Sequence, residues 1–415
     1  MIRRNYLVVL VLCAAGAWAQ PDRVKLDDLL AEARRNNLEI LAARHAYEAA
    51  RQRPTQESTL PEPMFSLSYN SVGRPWPLAG VGREPVANAG LMMTQEFPFP
   101  GKLKLRGGMA AREAQAEFQS YQAVELSVVS RLKQAYYRLF YTHAAADVLS
   151  RSRDLLDKLL RVTEVRYSVG KASQQDVFKA QTGISILETR LVKLSQERRS
   201  REAEILSLLG RAAGAAVGQP EDLQPQELPV TLSQLLGSAD GNSPMLRRDR
   251  KMIERAELAV NLARKEYYPD YSLSAGYYNM GAMGSMYMAR ADFKLPLYFW
   301  RKQRAGVAEQ VSELRQARRS LQAAGQTLQF RIKDDYLMAE ASSRLVKLYG
   351  QTVIPQASLA LESSLASYET GAVDFLSVLT NFTSVFEYEM NYYEELASYY
   401  VAMSRLEEMA GGRLP

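Results

Sequence analysis

Arg166-Tyr167-Ser168-Val169-Gly170-Lys171 returns 201 residues later as Ser367-Tyr368-Glu369-Thr370-Gly371-Ala372, so one helix-ending turn is written twice in the chain. Other landmarks keep nearly the same register. Arg131-Leu132-Lys133 with Tyr136 recurs as Arg331-Ile332-Lys333 with Tyr336, an offset of 200, and the helix-ending Gly210 recurs as Gly411, an offset of 201. Solenoid units run about 20 to 50 residues, so a period this long marks two substantial halves rather than a stack of small repeats. Residues 20–215 read as a first structural repeat of helix, β-hairpin and long helical pair. Residues 216–242 read as an inter-repeat linker and residues 243–415 as the second repeat.

Proline placement divides the chain further. None occurs between Gly101 and Gln219, and after Pro296 only Pro355 precedes the terminal Pro415. The intervening composition, rich in Ala, Leu, Gln, Glu, Arg and Lys, favours very long helices. One helix over residues 103–169 would span roughly 100 Å at 1.5 Å per residue, more than a globular domain accommodates. Gly170 and Gly371 suit left-handed C-caps, each followed by a second helix, over about 173–209 and 374–409. Shorter helices are expected over 24–51 and 244–267, the latter with Pro244 at its start. Taken alone, such helices describe a coiled coil.

Four alternating segments lie between them. Phe65, Leu67 and Tyr69 alternate with Ser66, Ser68 and Asn70, and Tyr271, Leu273, Ala275 and Tyr277 alternate with Ser272, Ser274 and Gly276. Their expected partners are residues 90–97 and 286–295, where Tyr287, Ala289, Ala291 and Phe293 face away from Met288, Arg290, Asp292 and Lys294. Period-two alternation predicts strands, and their length suits either an ordinary half-buried sheet or a bilayer-crossing hairpin. If they cross a membrane, the sheet must close, because an open edge leaves backbone groups without partners in lipid. Four strands are too few for a barrel, so two or three chains would share one. Its wet lumen would then be lined by Ser66, Ser68, Asn70, Arg290, Asp292 and Lys294.

Composition narrows the class. Apolar residues make up 47% and charged residues 24%, ordinary for a folded chain. Residues 1–19 read as a cleaved secretory signal, with Arg3 and Arg4 basic, Tyr6 to Ala15 apolar, and Ala17-Trp18-Ala19 as the cleavage site. The single cysteine, Cys13, falls inside that signal after Leu12, which disfavours lipidation, so the mature chain would hold no disulfide and rely on burial. The net charge of +6, less Arg3 and Arg4, is +4 with both signs interspersed, and no basic block points to nucleic acid. No other segment has the roughly 20 uninterrupted apolar residues of a membrane helix. Two histidines, His45 and His143, no phosphate loop and no nucleophile motif leave no catalytic constellation, no cofactor and no metal site. Met280, Met283, Met286 and Met288 are soft-metal donors in principle, but read better as fillers of flexible apolar contacts.

The linked motifs resemble the TolC family of outer-membrane efflux channels over essentially the whole mature chain. They are Gln95-Glu96-Phe97-Pro98-Phe99-Pro100-Gly101-Lys102, the twice-used Tyr-x-x-Gly turn, and Val353-Ile354-Pro355-Gln356-Ala357. Leu60-Pro61-Glu62-Pro63-Met64 and the Phe-Pro-Phe-Pro-Gly-Lys run look most like the heavy-metal efflux branch. The resemblance implies a mainly α fold with a β-barrel contribution: long coiled-coil helices forming an α-barrel, and four strands per protomer in a shared twelve-stranded trimeric β-barrel. It implies an outer-membrane exit duct with a periplasmic extension, a homotrimer, a periplasmic adaptor and an inner-membrane pump of the resistance-nodulation-division class. Metal cations are the expected cargo, with a drug or type I protein-secretion outlet as the alternative within transport. A soluble periplasmic coiled-coil scaffold, not an enzyme either, is the alternative outside it.

Against that family, Pro98, Pro100, Gly101 and Pro296 mark the strand-to-helix transitions, where proline ends ladder pairing, and Tyr298 and Trp300 suit either an interfacial aromatic belt or core packing. Gly170, Gly371, Tyr167, Tyr368 and Lys171 would form the tunnel tip. The family's constricting acidic residue, six positions after the glycine, corresponds to Asp176. In the second copy that position is Ser377, Asp374 lies nearby instead, and a basic residue often found there is Val373. A solvated turn or helix cap is the plain alternative for both acids.

Overall fold

The computed structural model describes residues 23–414, so the signal segment and Cys13 lie outside the described residues. Helices α1 (Leu26–Asn36), α2 (Leu38–Ala50) and α3 (Arg53–Ser58) precede strands β1 (Met64–Asn70) and β2 (Asn88–Phe97). Helices α4 (Lys102–Ser168) and α5 (Gln174–Leu209) follow, then α6 (Leu232–Asn242) and α7 (Pro244–Lys265). Strands β3 (Asp270–Asn279) and β4 (Ser285–Lys294) lead into α8 (Lys302–Leu348), α9 (Ile354–Thr370) and α10 (Phe375–Ala410).

The 67-residue α4 confirms the uninterrupted helix that the proline-free stretch predicts. Its counterpart is α8 joined to α9 through a π-helical turn, Tyr349–Val353, immediately before Pro355. Proline lacks an N–H and crowds the carbonyl four residues earlier, and a widened turn relieves both defects without ending the helix.

The single helix expected over 24–51 is instead two. Asn37 interrupts it in extended backbone, and its buried carbonyl oxygen accepts the amides of Glu39 at 2.9 Å and Ile40 at 3.0 Å. An asparagine that satisfies orphan helix donors starts a new helix more readily than it continues an old one. Helix α6, inside the segment read as a linker, begins with a capping box between Thr231 and Gln234.

The chain divides into two compact units. One gathers residues up to Glu32, Ala135–Pro225 and Val346–Ala397; the other gathers Ala33–Gln134, Gln226–Leu345 and Ser398–Pro415. The first is held by coiled-coil packing. Thr142, Leu149, Leu156 and Thr163 of α4, Ala180, Leu187 and Leu194 of α5, Leu361 and Tyr368 of α9, and Phe375 and Phe382 of α10 are all buried at seven-residue spacing. That spacing keeps one seam of each helix facing its partners. Tyr136 ties in the connecting segments, its hydroxyl donating to the Val24 carbonyl and accepting the Glu221 amide, both at 2.9 Å.

The second unit holds the strands and a core of Leu235 and Ala239 of α6 with Ile332, Ala339, Tyr399, Ala402 and Leu406. The four strands form one antiparallel sheet in the order β1-β2-β3-β4, so the two expected hairpins pair with each other through β2 and β3. Among the described residues, no helix is long and apolar enough to cross a membrane.

Candidate functional site

Register sorts the strand residues into two faces. Phe65, Met93, Ala275 and Ala289 form one cross-strand row, and Leu67, Leu91, Tyr277 and Tyr287 the next on the same face. Phe97, Tyr271 and Phe293 add an aromatic row there, with ring centroids 5.3 and 6.4 Å apart. The opposite face carries Ser66, Ser68, Asn70, Ser272, Ser274, Arg290, Asp292 and Lys294, together with Thr94 and Glu96, which the alternation of single segments had not singled out. Thr94 and Ser274 share a hydrogen bond at 2.9 Å across this polar face, and Arg290 pairs with Asp292 at 2.9 Å.

Burial is inverted relative to a sheet in a water-soluble core. Leu67 is 86% and Tyr287 79% exposed on the apolar face, whereas Ser274 is 5% and Tyr278 8% exposed on the polar one. Tyr278 lies flat because its neighbours are glycines: a Cβ at Gly90 would come within 2.1 Å of its ring, and one at Gly276 within 2.8 Å. Met286 and Met288 share this polar face with Met92, and Met280 and Met283 flank the β3–β4 turn. Among the described residues, no group of three or more His, Cys, Asp or Glu side chains is arranged to hold a metal ion.

A second feature sits where β2 passes into α4. Pro98 follows the last residue of β2, Gly101 has φ of 94°, and Pro296 follows the end of β4. Lys102, at the first position of α4, has a side chain only 1% exposed. Its ammonium group donates to Asp270 at 2.9 Å and Glu266 at 3.1 Å, and Asp270 also accepts the Phe99 amide at 2.7 Å. Phe99 stacks on Tyr268 at 4.5 Å, and the Lys265 ammonium stands over both rings. The sequence offered one signal for this cluster: a lysine at a helix N-terminus opposes the helix dipole and needs a compensating anion.

The third feature is the duplicated turn. The Gly170 amide bonds to the Tyr167 carbonyl at 3.0 Å and the Lys171 amide to the Arg166 carbonyl at 2.8 Å; Gly371 and Ala372 repeat the pattern on Tyr368 and Ser367 at 3.0 and 2.9 Å. With φ of 71° and 83°, both glycines occupy the left-handed position that this double bond requires. The following helix starts are reciprocal. In the first copy Ser173 caps α5 and Asp176 returns a bond to the Ser173 amide at 3.1 Å. In the second copy the acid comes first: Asp374 accepts the Ser377 amide at 3.1 Å and the Ser377 hydroxyl. These hydrogen bonds from Ser377 hold the exposed Asp374 carboxyl below its ordinary range.

The twin tyrosines also part company, Tyr368 being 4% and Tyr167 46% exposed. Tyr368 lies in the heptad seam between Leu361 and Phe375, and Arg166 covers its ring from the neighbouring helix end. Its guanidinium donates to the Glu369 carbonyl at 2.9 Å and to that of Tyr368, and lies 4.6 Å from the Tyr368 ring centroid. It thereby supplies the positive charge that a helix C-terminus favours, from one helical hairpin to the other. Serine stands at the corresponding place in the second copy, Ser367, so nothing reciprocates. Lys171 is exposed. Beside the turns an apolar groove of about 780 Å³ runs along α5 and α10, lined by Phe178, Ile186, Leu376, Leu379, Phe382 and Phe386.

Long heptad-packed helices with an inverted four-stranded sheet define an outer-membrane channel protomer. The pattern of the Outer membrane efflux protein family matches residues 29–211 and 235–412, and the chain belongs to that family. It is therefore an outer-membrane efflux channel with a periplasmic helical extension, and not an enzyme. Cobalt-zinc-cadmium resistance protein CzcC of Cupriavidus metallidurans is 21% identical over 317 residues, covering 75% of this chain and 74% of that one. A solved structure of CusC superimposes with a TM-score of 0.80 at 18% identity, covering 99% of both chains. VceC of Vibrio cholerae gives 0.79 at 18% identity over 94% of this chain and 97% of that one.

Two outcomes follow from the geometry. Lys102→Met should destabilise the protein by about 1–3 kcal/mol by leaving the partly buried Asp270 carboxylate without its cation, while adding Asp270→Asn, which keeps an acceptor for the Phe99 amide, should recover part of the loss. Denaturant unfolding in detergent followed by tryptophan fluorescence reads both. Because the folded Asp374 is the more acidic form, its stabilising contribution is present above the unfolded value and disappears as pH falls through the folded one. Protection of the Ser377 amide, taken relative to its intrinsic exchange rate, should accordingly fall in acid, starting below about pH 4, and Asp374→Asn should remove that dependence.

Proposed function

We propose that three copies of this chain close a twelve-stranded barrel in the outer membrane and serve as the passive exit duct of a tripartite efflux system. The supporting observation is the sheet: the apolar row Leu67, Leu91, Tyr277 and Tyr287 is exposed across all four strands, while β1 and β4 each have one edge without a partner strand among the described residues. In lipid such edges are untenable, and pairing β1 of one copy with β4 of the next satisfies both. Strands of 7 to 10 residues at about 3.3 Å each match the roughly 25 Å apolar band of such barrels. The polar face then lines the lumen. Residues 20–215 and 243–415 act as two structural repeats joined by 216–242, so the trimer behaves as six hairpin units. A periplasmic adaptor and an inner-membrane pump of the resistance-nodulation-division class would deliver the cargo, which we take to be metal cations. The name of the CzcC relative, a cobalt-zinc-cadmium resistance protein, supports that cargo.

At the tip, Tyr167, Lys171, Asp176 and Asp374 would surround the narrow mouth, with Gly170 and Gly371 setting its turns. A ring of carboxylates attracts cations, and Asp176 keeps one such charge next to its capping role.

Reconstitution in planar bilayers should give discrete conductance steps, and unheated gels of the outer-membrane fraction should show trimers. Release of the protein by alkaline washing would reject the duct. Asp176→Asn retains an acceptor for the Ser173 amide while removing the charge, so it should shift the reversal potential away from cation selectivity. An unchanged potential would remove Asp176 from the mouth. Deleting the gene should lower metal tolerance; unchanged tolerance with raised dye sensitivity would reject the cargo.

A further inference from the structure

The cluster around Lys102 has a half-built counterpart. Lys102 opens α4 and Lys302 opens α8, an offset of 200 that also relates Phe99 to Phe299. On the receiving side, Pro63-Met64-Phe65-Ser66-Leu67-Ser68 corresponds to Pro269-Asp270-Tyr271-Ser272-Leu273-Ser274, an offset of 206. Within the chain, the end of the first hairpin closes on the start of the second: Lys102 on Glu266 and Asp270, Phe99 on Tyr268. Among the described residues no strand follows β4 for its end to close on. Lys302 stands exposed, as do Phe299, Trp300 and Arg301. At the other edge of the sheet, Leu60, Glu62, Pro63 and Met64 are exposed as well.

We infer that the β4–α8 junction of one protomer is covered by residues 60–64 of a second copy, with the Lys302 ammonium paired to the Glu62 carboxylate and the Phe299 ring laid against Leu60. The inference rests on the trimeric barrel proposed above and names the contacts that seal it. The internal junction supplies the template, since β2 followed by β3 inside the chain is repeated by β4 followed by β1 of the neighbour. Charge is complementary. The positions equivalent to Glu266 and Asp270 are Leu60 and Met64, and Glu62 lies between them, on the same side of an extended segment where alternate residues share a face. The anion is thus displaced by two residues, roughly 6.6 Å along the strand, within reach of a lysine side chain. The aromatic partner changes too: Tyr268 is replaced by Glu62, so Phe299 has Leu60 to cover instead of a ring.

The test uses the full chain in the outer membrane. Glu62→Cys combined with Lys302→Cys, treated with a short bis-maleimide, should give covalent dimers and trimers on heated gels, which neither single variant gives. Lys302→Glu and Glu62→Lys alone should each lower the temperature at which the trimer band disappears, and the double exchange should restore it. Trimers that form without the cross-link, and with melting indifferent to all three charge variants, would overturn the junction while leaving the shared barrel standing. Quenching of Trp300 by spin-labelled lipid in those trimers would then assign the exposed aromatic surface to the bilayer. Absence of any trimer would overturn the barrel and the junction together.

Discussion

A β-sheet whose apolar face points outward can persist only where the surroundings are themselves apolar, and there every backbone donor and acceptor needs a partner. This constraint organises the molecule. Along β3 the exposed positions are Leu273, Ala275 and Tyr277 and the covered ones Ser274 and Tyr278, the reverse of a sheet packed in a soluble core. The polar face is not loosely built, for Tyr278 fills the space left by Gly90 and Gly276, and Thr94 bonds to Ser274. The sheet is therefore ordered within a single chain, while β1 and β4 each keep one edge without a partner strand among the described residues.

The helices meet a different demand. Heptad burial on α4, α5, α9 and α10 keeps four long rods in contact without a globular core. Such rods are weakest at their ends, where four carbonyls or four amides lose their partners. The double turn answers this twice, with Gly170 and Gly371 in left-handed backbone and a serine–aspartate pair at each following helix start. The two turns share one solution and differ within it. Asp176 and Asp374 occupy opposite ends of their capping pairs, and Arg166 covers the end of α9 while Ser367, at its place in the second copy, does not do the same for α4.

Much of this was legible. Alternation at Phe65–Asn70 and Tyr271–Tyr277 located strands because a side-chain period of two is a local property, and the absence of proline after Gly101 located α4 because a helix interior excludes it. The capping alternative considered for Asp176 and Asp374 is what both carboxylates perform. Less legible was the break at Asn37, where a residue common on helix surfaces turns its carbonyl to its own backbone. Lys102 was visible as part of a motif, but its carboxylates, Glu266 and Asp270, lie more than 160 residues away in the chain.

The sequence by itself determined the repeat, the long helices, the left-handed turns and the two-faced strands, since each follows from backbone sterics or side-chain periodicity within a few residues. Only the tertiary structure decided that β2 pairs with β3, that Lys102 is buried between two acids, and that Tyr368 rather than Tyr167 packs in the seam, with Arg166 over its ring. Those choices depend on which distant segments meet, and the energies that settle them, desolvation of a charge and satisfaction of a strand edge, have no local signature.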